Sequence, residues 1–322
     1  MRKAALLYNP DSGGSKRRQH ELESALGVLR GAGVEADLIL AQSRDHAGEL
    51  ARQAIAAGCD TIFACGGDGT IHNLAQVLAN SSVTLAILPM GTANALAHDL
   101  GLPRNPTAAA RAALAGAPRR VALGRVEYDD LLGTPGQRYF TIAAGVGVDA
   151  HLFYKLHTSA KQRMGMTAYY AKAWSLWFTY SMPRFVAEYA GERDSEGAVG
   201  TKTAEVTELM AVRIGNFGGV VQQLAPGASL DRKDNRLVFA RTASRIAYLA
   251  YVTRGLLRQS WAIPGIELAY SPRVSCRYRE SLSAPPPEQR KIYVEADGEL
   301  LGTLPAEITV IPDALTVLAP LR

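Results

Sequence analysis

Over its first hundred residues the sequence alternates short apolar runs with helical patterns, and a glycine-bearing turn follows three of the apolar runs. Residues 3–8 (KAALLY) stop at Asn9-Pro10, as a strand entering a turn does. Leu22, Ala25, Leu26 and Leu29 recur at helical spacing and predict a helix over 15–30. The same pattern predicts strands over 34–40, 60–65 and 83–88, with helices over 45–57, 71–79 and 93–100. Strand–helix alternation with such short links requires a parallel sheet covered on both faces. Ligands of these sheets bind beyond the carboxyl ends of the strands. The turns at 9–14, 66–70 and 91–94 all lie at that end, so they are expected on one rim.

After Pro118 the character changes to strands and hairpins, over 119–128, 138–148, 184–190, 203–214 and 235–242, with helical stretches at about 150–180 and 245–259. Several strands with turn signals between them predict an antiparallel, sandwich-like domain. Asp129 to Gln137 reads as a polar hairpin loop, and Ser281 to Arg290, with three prolines, as an extended loop. A length of 322 residues suits two domains. The expected organisation is an α/β domain over 1–118, rejoined by the strand-like segment within 307–322, and a β-rich domain over 119–306.

Composition narrows the classes of function. At 48% hydrophobic and 20% charged residues, the chain is neither disordered nor fibrous. Thirty-five basic against 30 acidic residues is too small an excess to indicate nucleic acid, yet it suits an anionic surface or a phosphate-bearing ligand. Cys59, Cys65 and Cys276 form no disulfide framework and no CxxC pair, as in a reducing cytosol. The N-terminus carries no signal-peptide pattern, and no apolar run reaches the roughly 20 residues that span a bilayer. The expected location is cytoplasmic, with peripheral attachment to a membrane. The histidines show no metal-ligand spacing; His72 and His98 are expected at a helix surface or beside the site, and Cys65 in the core.

The central turn is Gly66-Gly67-Asp68-Gly69-Thr70. Glycines let backbone N–H groups approach a ligand closely, and the helix that follows favours phosphate at its N-terminus. A carboxylate in that position would repel phosphate unless a divalent cation is shared. Mg²⁺ binds in this way, through one or two carboxylates and phosphate oxygens. The turn therefore reads as a Mg-nucleotide turn. Neither the GxGxxG fingerprint nor the GxxxxGK[ST] loop is present.

Asn9-Pro10-Asp11-Ser12-Gly13, the Gly66–Thr70 turn and Gly91-Thr92-Ala93-Asn94, in this order, resemble the diacylglycerol kinase catalytic-domain superfamily. That superfamily includes bacterial diacylglycerol kinases, YegS-like lipid kinases, sphingosine kinases and ceramide kinases. The GGDG turn is shared more distantly with NAD kinases and phosphofructokinases. Gly145-Val146-Gly147-Val148-Asp149 and Asp297-Gly298-Glu299 extend the resemblance along the chain. It implies a NAD-kinase/phosphofructokinase-like α/β domain, an antiparallel β-sandwich domain, and transfer of the ATP γ-phosphoryl group to a lipid hydroxyl with Mg²⁺. It implies that Asn9, Ser12 and Gly13 line the nucleotide. Gly66, Gly67, Asp68, Gly69 and Thr70 would cradle the phosphates with Asn73 nearby, and Gly91, Thr92 and Asn94 would complete the site. Ser43 is the nearest match to a nucleotide-contacting hydroxyl of the family.

Two carboxylates compete for the role of base. Glu299 matches the proton acceptor of bacterial members and is preferred, with Asp68 as organiser of magnesium through water. A second, structural Mg²⁺ at Asp234 is implied by the family, but Arg232, Lys233 and Arg236 around it disfavour a cation. Bacterial diacylglycerol kinases have an aspartate where Ala95 stands here; Asp99, one helical turn on, is the nearest acid. This leaves the substrate open between a diacylglycerol-like lipid and a sphingoid long-chain base. A soluble-substrate kinase of the NAD kinase type and a non-catalytic binding relative are the competing readings.

Residues 164–185 hold seven aromatic residues in 22, with Lys161, Arg163 and Arg184 at or near the ends. Such a stretch sits at a membrane interface or packs in the core of the second domain. Residues 245–258 are apolar with arginines at both ends. The expected partners are a lipid substrate and a peripheral membrane surface, with no nucleic acid; a homodimer is allowed.

Overall fold

The computed structural model describes residues 1–8, 16–151, 180–193, 199–217, 224–259, 261–279 and 291–321. The chain forms two compact units. One comprises Met1–Leu123, Ile214–Gln222 and Ile311–Arg322; the other comprises Gly124–Arg213 and Gln223–Val310.

In the first unit, strands β1 (Lys3–Tyr8), β2 (Glu35–Leu40), β3 (Thr61–Gly66) and β4 (Thr84–Pro89) alternate with helices α1 (Lys16–Gly31), α2 (Arg44–Ala56) and α3 (Asp68–Leu78). The strands are parallel in the order β4-β3-β1-β2. Every residue of β3 and β4 is buried, which is why these segments read as unbroken apolar runs rather than alternating ones. Edge strand β2 does alternate at its start: Glu35 and Asp37 face solvent while Ala36 is buried. Leu22, Ala25 and Leu29 of α1 share a core with Leu6, Phe63 and Leu88 of the sheet. The same core takes Ala109, Ala110 and Ala113 from α5 (Pro106–Ala115).

Three boundaries differ from expectation. Helix α3 begins at Asp68, not 71, so the glycine turn is itself the first turn of a helix. Helix α4 spans only Ala95–Asp99, because Asn94 enters it from the left-handed region at φ 51°. Helix α5 was not predicted, although Asn105 caps it by accepting the Ala108 N–H at 2.9 Å and Pro106 follows.

The second unit is antiparallel. It contains β5 (Ala117–Asp129, from Gly124 onward), β6 (Pro135–Phe140), β7 (Ala143–Gly147), β8 (Phe185–Arg193), β9 (Val199–Val206), β10 (Glu208–Val212) and β11 (Asn235–Ala240). Helix α6 (Arg245–Leu256), β12 (Ile266–Ser271), β13 (Arg273–Tyr278), β14 (Tyr293–Ala296) and the first half of β15 (Glu299–Ala319) complete it. One run of strands is ordered β12-β11-β10-β7-β14-β15, and another pairs β15 with β13, β13 with β8 and β8 with β9. Phe185, Phe239, Leu209, Val294 and Ile308, drawn from both runs, share one buried core with Phe140 of β6, as the two inner faces of a sandwich do. The last residues of β15 belong to the first unit, where Thr316 and Val317 pair in parallel with Thr84 and Leu85 of β4.

Two predicted single strands are broken in two. The 138–148 segment stops at Thr141-Ile142, because the Asp297 carboxylate takes the N–H groups of Thr141, Ile142 and Ala143 at 2.8 to 3.1 Å. The 203–214 segment breaks at Thr207, where the chain passes from β8's partner to a strand between β7 and β11. The Thr207 hydroxyl is fixed there by the Thr242 carbonyl and the Tyr248 hydroxyl. The expected helix over 150–180, with the aromatic stretch up to residue 179, and the loop from Ser281 to Arg290 lie outside the described residues, apart from residues 150, 151 and 180. No described helix is long and apolar enough to cross a membrane.

Gly124 lies opposite Phe140 in the β5–β6 hairpin, and a Cβ there would stand 2.0 Å from the Phe140 ring. Phe140 is wholly buried and has nowhere to move. Gly124→Ala is expected to lower the free energy of unfolding by about 1–3 kcal/mol, measured by urea denaturation.

Candidate functional site

In the first unit the carboxyl ends of all four parallel strands open onto one rim. Gly66 ends β3 there and Pro89 ends β4. The two glycine turns that follow are joined by Asp68: its carboxylate accepts the Asn94 N–H at 2.9 Å and the Ala95 N–H at 2.7 Å. One carboxylate thus caps the short helix α4 while standing in the first turn of α3. Their backbones also touch. A Cβ on Gly91 would lie 2.5 Å from the Gly67 Cα, and one on Gly66 would lie 2.3 Å from the Thr70 hydroxyl oxygen. These glycines are required for space, not for backbone freedom.

Asn94 closes the second turn from within. Its side-chain oxygen accepts the Gly91 N–H at 3.0 Å, and its amide nitrogen donates to the Gly91 carbonyl at 2.7 Å. Asn94 is buried and its amide is spent on the turn, whereas Thr92 is exposed on it. Gly67, the residue before α3, offers no side chain to cap the helix. The first N–H groups of α3 therefore lie at a half-exposed helix end, the arrangement that suits phosphate. Gly69, Thr70 and Asn73 sit on the first two turns of the same helix, also half-exposed.

Other predicted residues fall elsewhere. Asn9, Ser12 and Gly13 lie outside the described residues. Ser43 is at the carboxyl end of β2 but serves as the cap of α2, accepting the His46 N–H at 3.2 Å. Asp99 is neither a free helix carboxylate nor a substitute for the acid missing at Ala95. It accepts the N–H groups of Gly215 and Asn216 at 2.9 and 3.0 Å, which anchors the returning segment that starts at Ile214. His72 is fully buried on α3, so of its two expected positions the helix surface is excluded. His98 accepts hydrogen bonds from Arg104. Cys65 is buried in the core as expected.

In the second unit Asp297-Gly298 is the two-residue loop between β14 and β15, with φ of 49° and 80°. Positive φ at both positions is what a tight hairpin turn of this kind needs. Glu299 follows at once. It is partly buried, and Arg138 donates to its Oε2 at 3.2 Å. Asp297 is the fastener of this corner: besides the three N–H groups it accepts the Thr141 hydroxyl at 3.0 Å.

Beside this hairpin stands a group of carboxyls that sequence reasoning did not single out as a cluster: Asp149, Glu208 and Glu295. Glu208 accepts the N–H groups of Val148 and Asp149, the first at 2.5 Å. Glu295 accepts the Gly298 N–H at 2.8 Å. Burial pushes Glu208 and Glu295 well above the usual carboxylate range, and the neighbouring Asp149 raises both further. Burial raises Asp149 as well. Burial is the main cause of these upward shifts, and close carboxyls in a buried setting oppose one another's ionisation. The signal was present in Gly145-Val146-Gly147-Val148-Asp149. A Cβ on Gly145 would stand 2.0 Å from an Asp149 carboxylate oxygen, and Gly147 has φ of 116° against the Thr207 carbonyl.

The expected structural magnesium site at Asp234 does not fit. Both carboxylate oxygens are held by the Arg232 guanidinium, at 2.6 and 2.9 Å. The loop carbonyls of Leu230, Arg232 and Asp234 converge instead on the guanidinium of fully buried Arg213, at 3.2, 2.8 and 2.5 Å. Burial lowers Arg213 to about 10, which leaves it charged at neutral pH. A cation does organise this loop, and the protein supplies it. Among the described residues no group of three or more His, Cys, Asp or Glu side chains is arranged to hold a metal ion.

Glycine turns joined across the carboxyl ends of a parallel sheet, in a chain that continues into an antiparallel sandwich, define a phosphate-handling α/β protein of two units. The comparisons narrow the class. Residues 3–126 match the diacylglycerol kinase catalytic domain. Over 99% of its length the chain is 30% identical to the diacylglycerol kinase of Mycobacterium tuberculosis, covering 95% of it, and 28% identical to that of Bacillus subtilis, covering 97%. A crystal structure of a diacylglycerol kinase from Bacillus anthracis superposes with a TM-score of 0.69 at 18% identity, covering 99% of this chain and 96% of that one. Yeast NADH kinase, solved with NADH, gives 0.51 at 11% identity, covering 100% and 84%, a likeness of fold alone. The chain belongs to the diacylglycerol kinase catalytic-domain family.

Two expectations follow for the second unit. Arg213→Leu leaves three buried carbonyls without their donor and should cost about 3 kcal/mol or more of unfolding free energy; EDTA should leave the melting temperature of the nucleotide-free protein unchanged. For Glu208, the folded value lies above the unfolded one of 4.5. Its stabilisation is therefore complete below about pH 4.5 and is lost as pH rises toward the folded value. Glu208→Gln should flatten the fall of melting temperature above that pH, so that the variant gains on the parent protein as pH increases.

Proposed function

We propose that the chain is an ATP- and Mg²⁺-dependent lipid kinase that transfers the γ-phosphoryl group to the hydroxyl of a diacylglycerol-like lipid or a sphingoid base, at a membrane surface. The single observation that carries this reading is the Asp68 bridge, which holds two glycine turns together at the carboxyl ends of β3 and β4. Family membership supports the kinase class and a lipid acceptor.

The residues present suit a phosphate chain. The glycine-capped end of α3 supplies N–H donors, and Gly66, Gly67 and Gly91 leave room for close approach. Both Asp68 oxygens face the joined turns, where they accept the Asn94 and Ala95 N–H groups, and a carboxylate oxygen can accept more than one hydrogen bond. Magnesium, when bound with the nucleotide, neutralises charge on the phosphates. Asp68 would hold it through water, with phosphate oxygens as the remaining protein-independent ligands.

Glu299 is the proposed base. Its carboxylate accepts the proton of the lipid hydroxyl as that oxygen bonds to the γ-phosphorus and the bond to the β-phosphate oxygen breaks, releasing ADP. Arg138 positions the carboxylate from one side, and the tight Asp297-Gly298 turn fixes its backbone.

The test is radiolabelled γ-phosphoryl transfer from ATP to diacylglycerol, monoacylglycerol, phosphatidylglycerol, sphingosine and ceramide in micelles, with NAD assayed separately. Label is expected in one lipid. Glu299→Gln should lower turnover by about 10²-fold or more and leave unfolding free energy within about 0.5 kcal/mol of the parent. Asp68→Asn should lower turnover as much and also destabilise, by about 1–3 kcal/mol, because one of the two N–H groups it accepts then faces an amide donor. Full turnover by Glu299→Gln would remove Glu299 as the base. Label in NAD alone, or in nothing while ATP still binds, would overturn the lipid-kinase reading.

A further inference from the structure

Helix α6 is built the wrong way round for a helix in water. The residues it buries are Tyr251, Arg254 and Gly255. Ile246, Leu249, Val252, Leu256 and Leu257 face outward, with Ile246 79% and Leu257 58% exposed. At 100° per residue these five fall within an arc of about 140°. Trp261 extends the patch. It is 43% exposed, and its carbonyl accepts a hydrogen bond from Arg254 of the helix at 3.2 Å. Of the thirteen large apolar side chains exposed among the described residues, six lie between 246 and 261. Single exposed apolar residues need no explanation, but a contiguous group of this kind marks a contact surface.

Charge indicates the occupant. From Thr242 to Ile266 the sequence carries three arginines and no acidic residue. Arg245 is half-buried at the start of the helix and donates to the Tyr180 carbonyl, and Arg254 is buried. Arg258 is exposed at the carboxyl end of the helix, beside the apolar arc. Two copies of the chain meeting through this face would bring Arg258 toward its own copy with no acidic residue of the helix between them, since a two-fold contact brings the same patch to itself. An anionic bilayer meets both parts of the surface at once: leucines, isoleucine and tryptophan enter the headgroup boundary, and exposed Arg258 stays with the phosphates. Tryptophan is the residue type that favours that depth.

We propose that the outward face of α6, with Trp261, docks the chain on an anionic lipid bilayer. The proposal deepens the lipid-kinase reading and rests on it for the purpose of docking, while the docking itself is tested without nucleotide. The full chain is sedimented with vesicles of phosphatidylcholine alone and of phosphatidylcholine with phosphatidylglycerol. Binding is expected to be stronger to the second. The double substitution Ile246→Ser and Leu249→Ser should lower it about ten-fold or more. Leu257→Ser, a second variant at the other end of the arc, should lower it in the same direction. Arg258→Gln should lower binding to the phosphatidylglycerol vesicles about five-fold and leave binding to phosphatidylcholine unchanged. Phosphorylation of a short-chain diacylglycerol in monomeric solution should be the same in all four proteins.

Equal sedimentation of the parent and both apolar variants would overturn the proposal. So would a concentration-dependent dimer in sedimentation velocity that Ile246→Ser and Leu249→Ser dissolve, which would give the face to a second copy. Should vesicle binding follow the expected pattern while no lipid is phosphorylated, the docking surface stands and the lipid-kinase reading falls.

Discussion

The first unit depends on one carboxylate. Without Asp68 the turn after β3 and the turn after β4 would be two separate loops, each with backbone N–H groups facing water. By accepting from Asn94 and Ala95, Asp68 makes them one rigid lip, and the close approach of Gly67 to Gly91 follows from that. A phosphate site needs donors fixed before the ligand arrives, because reorganising them costs free energy at the moment of reaction. Here the rigidity comes from a residue that could also face the metal. Shape and chemistry of the lip are therefore coupled, and substitutions at Asp68 report on both.

The second unit solves a different problem, the burial of charge. Asp297 spends its carboxylate on four donors at one corner. Arg213 spends its guanidinium on three carbonyls of a loop. Each makes an irregular stretch of backbone as well satisfied as a strand would be. Asp149, Glu208 and Glu295 take the other course: burial pushes all three upward, toward the protonated form, and the nearness of Asp149 adds to the shift of Glu208 and Glu295. Asp297 and Glu295 fasten the hairpin that carries Glu299, so the proposed base stands on backbone fixed by hydrogen bonds.

The parallel sheet was legible because burial on both faces leaves a simple mark, an apolar run ending in glycine. The segments 60–65 and 83–88 match β3 and β4 to within a residue at each end. Failures came where a side chain distant in sequence decides the local structure. Nothing near Thr141 announces that Asp297 will take its N–H and break the strand. Nothing near Asp99 announces Gly215. The Asp234 loop shows the same dependence: the basic residues around it argue against a metal, but nothing near it announces that its carbonyls converge on Arg213, some twenty residues earlier in the chain. Motif reading found Asp68, Gly91 and Asn94. It could not reveal that Asn94 acts on its own turn, because that requires the coordinates of both ends of its amide.

The way β15 is shared has a consequence for biosynthesis. The first unit takes Ile311–Arg322 as part of itself, and Thr316 and Val317 pair with β4. While the chain is on the ribosome, nearly all of that unit is made first and must wait through the synthesis of the whole second unit. During that interval β4 has an open edge, able to pair with a strand of another nascent chain. The final dozen residues close that edge. A polypeptide that stops before residue 311 would therefore have every glycine turn in its sequence and an adhesive flank, a natural substrate for chaperones and proteases.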